Sequence, residues 1–275
     1  MKEHPDYQQA LRAAWGAHTM PFGLEAKELY SPPEREELAR RIDRFIAMNT
    51  TGMITGANGS GKTILLENRL DRLNDKYHQI TRISHSTLTG SDLIRRILRL
   101  NGLPPSIRRA DNLHVLLEYW RSDARKPLLF IDEAQNLTPA ALEELRLLLT
   151  EAERNKTAFA LLLCGDEELP ALVSFNVHRP LRSRLAYHLQ VKPFSREQTA
   201  AYSQFRWQQA GVAQDPIQPQ ALALLHSASE GLPRIINHIA QNAILDAADH
   251  QQHAISEEHI TRAIEQVPGC SCHLF

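Results

Sequence analysis

Three short stretches hold residues whose types and order are chemically specific. The first, Gly56-Ala57-Asn58-Gly59-Ser60-Gly61-Lys62-Thr63, fits G-x-x-x-x-G-K-[ST] at every fixed position. Its glycines let the backbone curl until successive N–H groups face one anion, and a helix starting at its end adds a positive dipole terminus. Such a loop suits a nucleoside triphosphate. Lys62 would neutralise the β- and γ-phosphates, the Thr63 hydroxyl would coordinate Mg²⁺, and Ile64 closes the run of ATP-binding positions.

The second stretch, Leu128-Leu129-Phe130-Ile131-Asp132-Glu133, is four apolar residues ending in two carboxylates. Asp132 suits the magnesium shell, and Glu133 is placed to polarise an attacking water, so the pair points to ATP hydrolysis rather than binding alone. The third, Leu163-Cys164-Gly165-Asp166, has the same strand-then-acid form. Asp166 either orients the water or senses the γ-phosphate, or it caps the helix that follows. Cys164 reads as a small buried hydrophobe rather than a nucleophile. Arginines in Leu181-Arg182-Ser183-Arg184-Leu185 and Gly231-Leu232-Pro233-Arg234 are of the type that stabilises charge on a transferring phosphate, in cis or in trans. Each taken singly also reads as a surface cation.

Chemistry of this kind needs a scaffold that brings loop ends together. Short apolar runs at 53–55, 80–84, 127–132, 158–164 and 187–191 predict strands, and amphipathic stretches at 62–75, 91–100, 113–124 and 139–154 predict the helices between them. That alternation predicts an α/β domain with a mainly parallel sheet flanked by helices. A preceding helix is expected over 34–47. After Pro193 strand signals stop, and helices are expected at 195–210, 219–229, 233–249 and 256–266, the first opened by a Ser195-x-x-Gln198 capping box. The expected organisation is an N-terminal arm (1–23), the α/β nucleotide-binding domain (24–193), a small all-helical lid (194–267) and a C-terminal tail (268–275).

Composition narrows the class. With 275 residues, 43% hydrophobic and 23% charged, the chain is of ordinary globular character and long enough for two cores. A net charge of -1 excludes a wholesale basic coat, though not a local basic stripe. Three cysteines, Cys164, Cys270 and Cys272, are too few and too uneven for a disulfide framework, which fits a reducing compartment. No export signal or run of about 18 apolar residues is visible, so a cytoplasmic location without a membrane partner is expected. The Cys270-x-Cys272-His273 tail makes a poor tetrahedral metal set and reads better as a docking peptide.

Taken together, the glycine-rich loop, the Asp132-Glu133 pair, the Leu-Arg-Ser-Arg-Leu box and Gly-Leu-Pro-Arg in a helical lid resemble an AAA+ ATPase. More narrowly, Pro21-Phe22, Leu29-Tyr30, Thr55-Gly56, Ile131-Asp-Glu-Ala-Gln135 and Gly231-Leu-Pro-Arg-Ile-Ile-Asn237 resemble the ExeA-like branch, which includes the TnsC, TniB, MuB and IstB transposition ATPases. The resemblance implies that Arg182 or Arg184 is an arginine finger acting on a neighbouring subunit and that Arg234 is the sensor-2 arginine. It sets Asp166 in the sensor-1 region, where many members carry a polar amide. It further implies a homo-oligomer, ring or helical filament, on double-stranded DNA, with a transposase and a target-selection protein as partners. Ser86, Thr87, Thr89, Arg95, Arg96 and Arg99, with Arg108 and Arg109 beyond them, mix hydroxyls and cations suited to phosphate contact. The same stretch also reads as a solvated amphipathic helix. Two other functions stay open: an ExeA-like secretion ATPase, against which the missing membrane segment counts, and a nucleotide-gated scaffold that does not bind DNA.

Overall fold

The computed structural model describes residues 7–23, 28–84, 89–268 and 270. In chain order its elements begin α1 (Tyr7–Trp15), α2 (Pro33–Ala47), β1 (Thr51–Thr55), α3 (Lys62–Asp71), β2 (His78–Ile83) and α4 (Gly90–Leu100). Next come α5 (Arg109–Ser122), β3 (Lys126–Ile131), α6 (Pro139–Arg154), β4 (Ala160–Gly165), α7 (Glu168–Ser174), α8 (Arg179–Arg182) and β5 (Tyr187–Gln190). Helices α9 (Arg196–Gln209), α10 (Pro219–Ser229), α11 (Pro233–Asp249) and α12 (Glu257–Glu265) follow. The chain divides into two compact units, one of residues 34–57 and 61–191 and the other of residues 1–33, 58–60 and 192–275.

The first unit is built on a five-stranded sheet of order β2-β3-β4-β1-β5, parallel at every pairing. The central strands β3 and β4 read as near-continuous apolar runs because both their faces are covered, whereas the edge strands β2 and β5 are mixed. Met53, Leu129, Ile131, Leu161 and Leu163 point into a core closed by Leu93 and Ile97 of α4, Leu116 of α5 and Leu145 of α6. Their neighbours Ile54, Leu128, Phe130, Leu162 and Cys164 point the other way, against Leu38 and Ile42 of α2 and Leu65 and Leu66 of α3. Each such side chain contributes roughly 1.5–3 kcal/mol by leaving water.

Register places the functional loops. Thr55 of β1 pairs with Gly165 of β4, and Ile131 of β3 pairs with both Leu163 and Ile83, so the carboxyl ends of β1, β3 and β4 lie almost level. The Asp132 N–H donates to the Ile83 carbonyl at 2.8 Å and carries the ladder one residue beyond β3. Helix starts follow the expected chemistry. Thr138 caps α6 by accepting the Ala141 N–H, with Pro139 in the first turn.

In the second unit, α9 opens with the Ser195–Gln198 capping box, in which both reciprocal bonds are made. The core gathers Trp207, Ile236, Ile239, Ala240, Ile244 and Ile260. Phe22 from the segment after α1 is fully buried among these helices. Its carbonyl accepts from the Gln241 amide at 2.6 Å. Trp15 and Trp207 meet edge to face with ring centroids 5.5 Å apart. Among the described residues no helix is long and apolar enough to cross a membrane.

Candidate nucleotide site

Chain reversal between β1 and α3 depends on two left-handed residues, Gly59 at φ 85° and Gly61 at φ 91°, a region that side chains with a Cβ rarely enter. Gly61 is also the N-cap of α3, so the turn delivers the first helical N–H groups straight to the mouth of the loop. Lys62 is buried, and its ammonium donates to the carbonyls of Gly56 at 2.8 Å and Ala57 at 3.1 Å, which holds the charge inside the curl of the loop. Ile64, two residues on, is 58% exposed.

The sheet edge brings the second motif to the first. The Thr63 hydroxyl donates to Asp132 Oδ2 at 3.0 Å, although the two residues are 69 positions apart. The other Asp132 oxygen accepts the Glu133 N–H at 3.0 Å, which fixes the carboxylate plane. A hydroxyl and a carboxylate side by side are hard oxygen donors of the kind Mg²⁺ takes, and magnesium in phosphate sites needs only one or two protein ligands beside substrate oxygens and water. The residues present therefore fit that ion. No group of three His, Cys, Asp or Glu side chains suited to a metal occurs among the described residues.

Behind Asp132 lies Cys164, fully buried at the end of β4. Burial, and then the Asp132 carboxylate beside it, push the thiol far above its ordinary range, so it stays protonated and serves as packing. Glu133 adopts φ 50° and starts a single 3-10 turn, Ala134–Asn136, whose first residue is buried in the core. Gln135 donates from Nε2 to Glu133 Oε2 at 2.6 Å and accepts at Oε1 from the Asp166 N–H at 3.3 Å. Asp166 turns its own carboxylate to the Glu168 N–H at 2.9 Å, just before α7, whose N-cap is Glu167.

The two arginines of the 181–185 box differ. Arg184 is tied down, with Nε and Nη2 each 3.2 Å from a Glu153 oxygen and Nη1 2.8 Å from the Pro180 carbonyl. Arg182 is exposed and donates to the Ser174 carbonyl at 3.0 Å. Arg234 opens α11, and its N–H donates to the Gly59 carbonyl at 3.3 Å; Asn58–Ser60 cluster with that unit.

Among the candidate DNA contacts, Ser86 and Thr87 lie outside the described residues. Thr89 is the N-cap of α4, and its hydroxyl donates to Asp92. Leu93, Ile94, Ile97 and Leu98 form the buried face of α4, while Arg96 and Arg99 are exposed and stand in no ion pair among the described residues. Arg95 approaches Asp92 at 3.8 Å, and Arg109 pairs with the buried Glu144 at 2.7 Å.

Two residues near the loop escaped sequence reasoning. Gln135 had no role of its own, because its two partners lie in different loops. Arg35, in the first turn of α2, is buried and reaches 3.0 Å from where a Cβ on Gly61 would sit. No local signal distinguishes it.

Known proteins resemble this chain in sequence and in fold. Residues 48–173 match the AAA domain family. General secretion pathway protein A of Aeromonas hydrophila is 31% identical over 224 residues, which cover 79% of this chain but 40% of that protein. The chain therefore spans well under half of this relative. Cdc6p from Pyrobaculum aerophilum superposes with a TM-score of 0.70 at 20% identity, covering 91% of this chain and 72% of that one. Drosophila ORC bound to DNA gives a TM-score of 0.67 at 14% identity, covering 99% and 72%. At such identities the likeness is one of fold: a parallel five-stranded sheet flanked by helices in the AAA+ P-loop arrangement, with a helical region after it.

Proposed function

We propose that this chain is a Mg²⁺-dependent ATP hydrolase that assembles on duplex DNA as a ring or helical filament and regulates transposition, choosing a target and stimulating a transposase. One observation carries the hydrolytic part: Lys62, Thr63, Asp132 and Glu133 converge at one sheet edge, with the Thr63 hydroxyl 3.0 Å from Asp132. Gly56–Ser60 and the first N–H groups of α3 cradle the triphosphate. Lys62 meets the β- and γ-phosphates, and Thr63 and Asp132 hold the magnesium ion, which when bound offsets charge developing on the phosphate oxygens. Glu133 accepts the proton of the attacking water.

Arg182 is the better choice of trans-acting arginine, because Arg184 is already engaged by Glu153 and braces the turn beneath it. Arg234 keeps the sensor-2 role that the family resemblance implies. Asp166 acts through its backbone and through its bond to the Glu168 N–H.

The exposed cationic face of α4, with Arg96 and Arg99, supports the DNA part, and so does the fold shared with an ORC solved on DNA. Contacts of this kind read phosphates rather than sequence, so affinity falls steeply with salt. A secretion-associated ATPase is the second reading, favoured by the identity with general secretion pathway protein A.

Electron microscopy of the protein with duplex DNA, comparing a slowly hydrolysed ATP analogue with ADP, separates the readings. Assemblies on DNA that need the triphosphate are expected, and Arg96→Glu with Arg99→Glu should abolish them. Triphosphate-dependent oligomers that ignore DNA would turn the conclusion toward the secretion role or a DNA-free scaffold.

A further inference from the structure

We propose that Gln135 is a positioning residue for hydrolysis: it holds the Glu133 carboxylate in one orientation and ties it to the backbone at the end of β4. This rests on the reading of Glu133 as the group that polarises water.

The geometry is specific. Glu133 lies in a left-handed conformation at the head of a 3-10 turn, and its side chain is half-buried. Gln135 bonds it from two residues away. Its Nε2 donates to Glu133 Oε2 at 2.6 Å, and its Oε1 accepts the Asp166 N–H at 3.3 Å. The amide orientation follows from its partners, because a carboxylate only accepts and a backbone N–H only donates. A neutral amide is the side chain that makes both bonds at once while leaving the charge of the site unchanged.

Room for the amide is built in on the other strand. A Cβ at Gly165 would sit 2.7 Å from Gln135 Oε1 and 2.9 Å from the Leu169 Cδ2, closer than real contacts allow. The bare backbone at the end of β4 therefore admits the bridge. The loops after β3 and β4 are both expected to face the phosphates, and Gln135 makes the position of one depend on the other.

The test compares wild type, Glu133→Gln, Gln135→Leu and Gln135→Glu for Mg-ATP turnover and for affinity toward a fluorescent ATP analogue, with thermal unfolding of each. Leucine keeps the bulk and loses both bonds. Glutamate keeps the shape and the acceptor but sets a second carboxylate against Glu133. The expected result is a fall in kcat of about tenfold or more for Gln135→Leu with affinity little changed, and a deeper fall for the isosteric Gln135→Glu. A role in packing alone predicts the reverse order, with the isosteric change mild. Wild-type kcat in both Gln135 variants, or losses that follow affinity or melting temperature, would overturn the inference. A Glu133→Gln protein that turns over like wild type would instead remove the reading of Glu133, and this inference with it.

Discussion

Lys62 and Arg206 are both buried cations, neither stands in an ion pair among the described residues, and both donate to backbone carbonyls. Lys62 takes its acceptors from the loop five and six residues before it. Arg206 reaches the Pro21 carbonyl at 2.6 Å and the Gly23 carbonyl, 185 and 183 residues upstream. It adds the Tyr202 hydroxyl at 3.2 Å and lies 5.9 Å over the Phe22 ring. An ammonium is a compact point charge that exchanges one set of oxygens for another, whereas a planar guanidinium spanning three groups and a ring is a fixed bracket. Under the proposed function, the same problem, a charge out of water, is solved for ligand capture in one unit and for architecture in the other.

The comparison breaks most readily at Lys62. Lys62→Met is expected to lower Mg-ATP turnover by about 10²-fold or more, since the charge it supplies grows in value as the phosphate leaves. Urea unfolding should change little, because methionine replaces the buried stem. A loss of stability matching the loss of turnover would make Lys62 architectural too. Arg206→Met should do the opposite and lower stability by roughly 2–4 kcal/mol in urea titrations, because it breaks the link from α9 to the distant chain at Pro21 and Gly23, whereas the Lys62 bonds only span its own loop. Arg206→Lys should recover only part of this, since one ammonium does not span the bracket.

Asp215, before α10, sharpens the contrast with a smaller effect. Burial raises its carboxyl to about 6 from an unfolded value of 3.8. With the folded value the higher one, the protonated form favours folding, and stability falls as pH rises through about 6. Asp215→Asn is therefore expected to stabilise the protein by about 1–2 kcal/mol above pH 7, with the gain gone near pH 4. Thermal melts of both proteins across that range check the sign, and a gain that persists at pH 4 would assign it to another cause.

How much was legible follows from the range of each interaction. The glycine-rich loop, the β3 and β4 runs and the Ser195 cap are contiguous signals, and they appear where the spacing puts them. Helix α5 begins at Arg109 rather than Leu113, because its polar first turn looks like loop. Asn112 in that turn is buried and bonds the Ser106 N–H and carbonyl, a use of asparagine that no periodicity reveals. Helix α3 stops at Asp71 rather than Asp75, the turn closing with Leu73 N–H to Leu70 O. The four-residue α8 that carries Arg182 is too short to show a period. At the site, the motif residues could be read as a pattern, but Gln135 and Arg35 could not, and neither could Arg206 in the second unit, because each is defined by partners outside its own motif or by burial alone.

The most direct test of the account is Mg-ATP turnover by the wild type and by Glu133→Gln, both with duplex DNA present and at matched nucleotide saturation. The account predicts turnover in the wild type, equal nucleotide affinity in the two proteins, and at least about 10²-fold slower hydrolysis in the variant. Equal turnover in both, or none in the wild type, would contradict it.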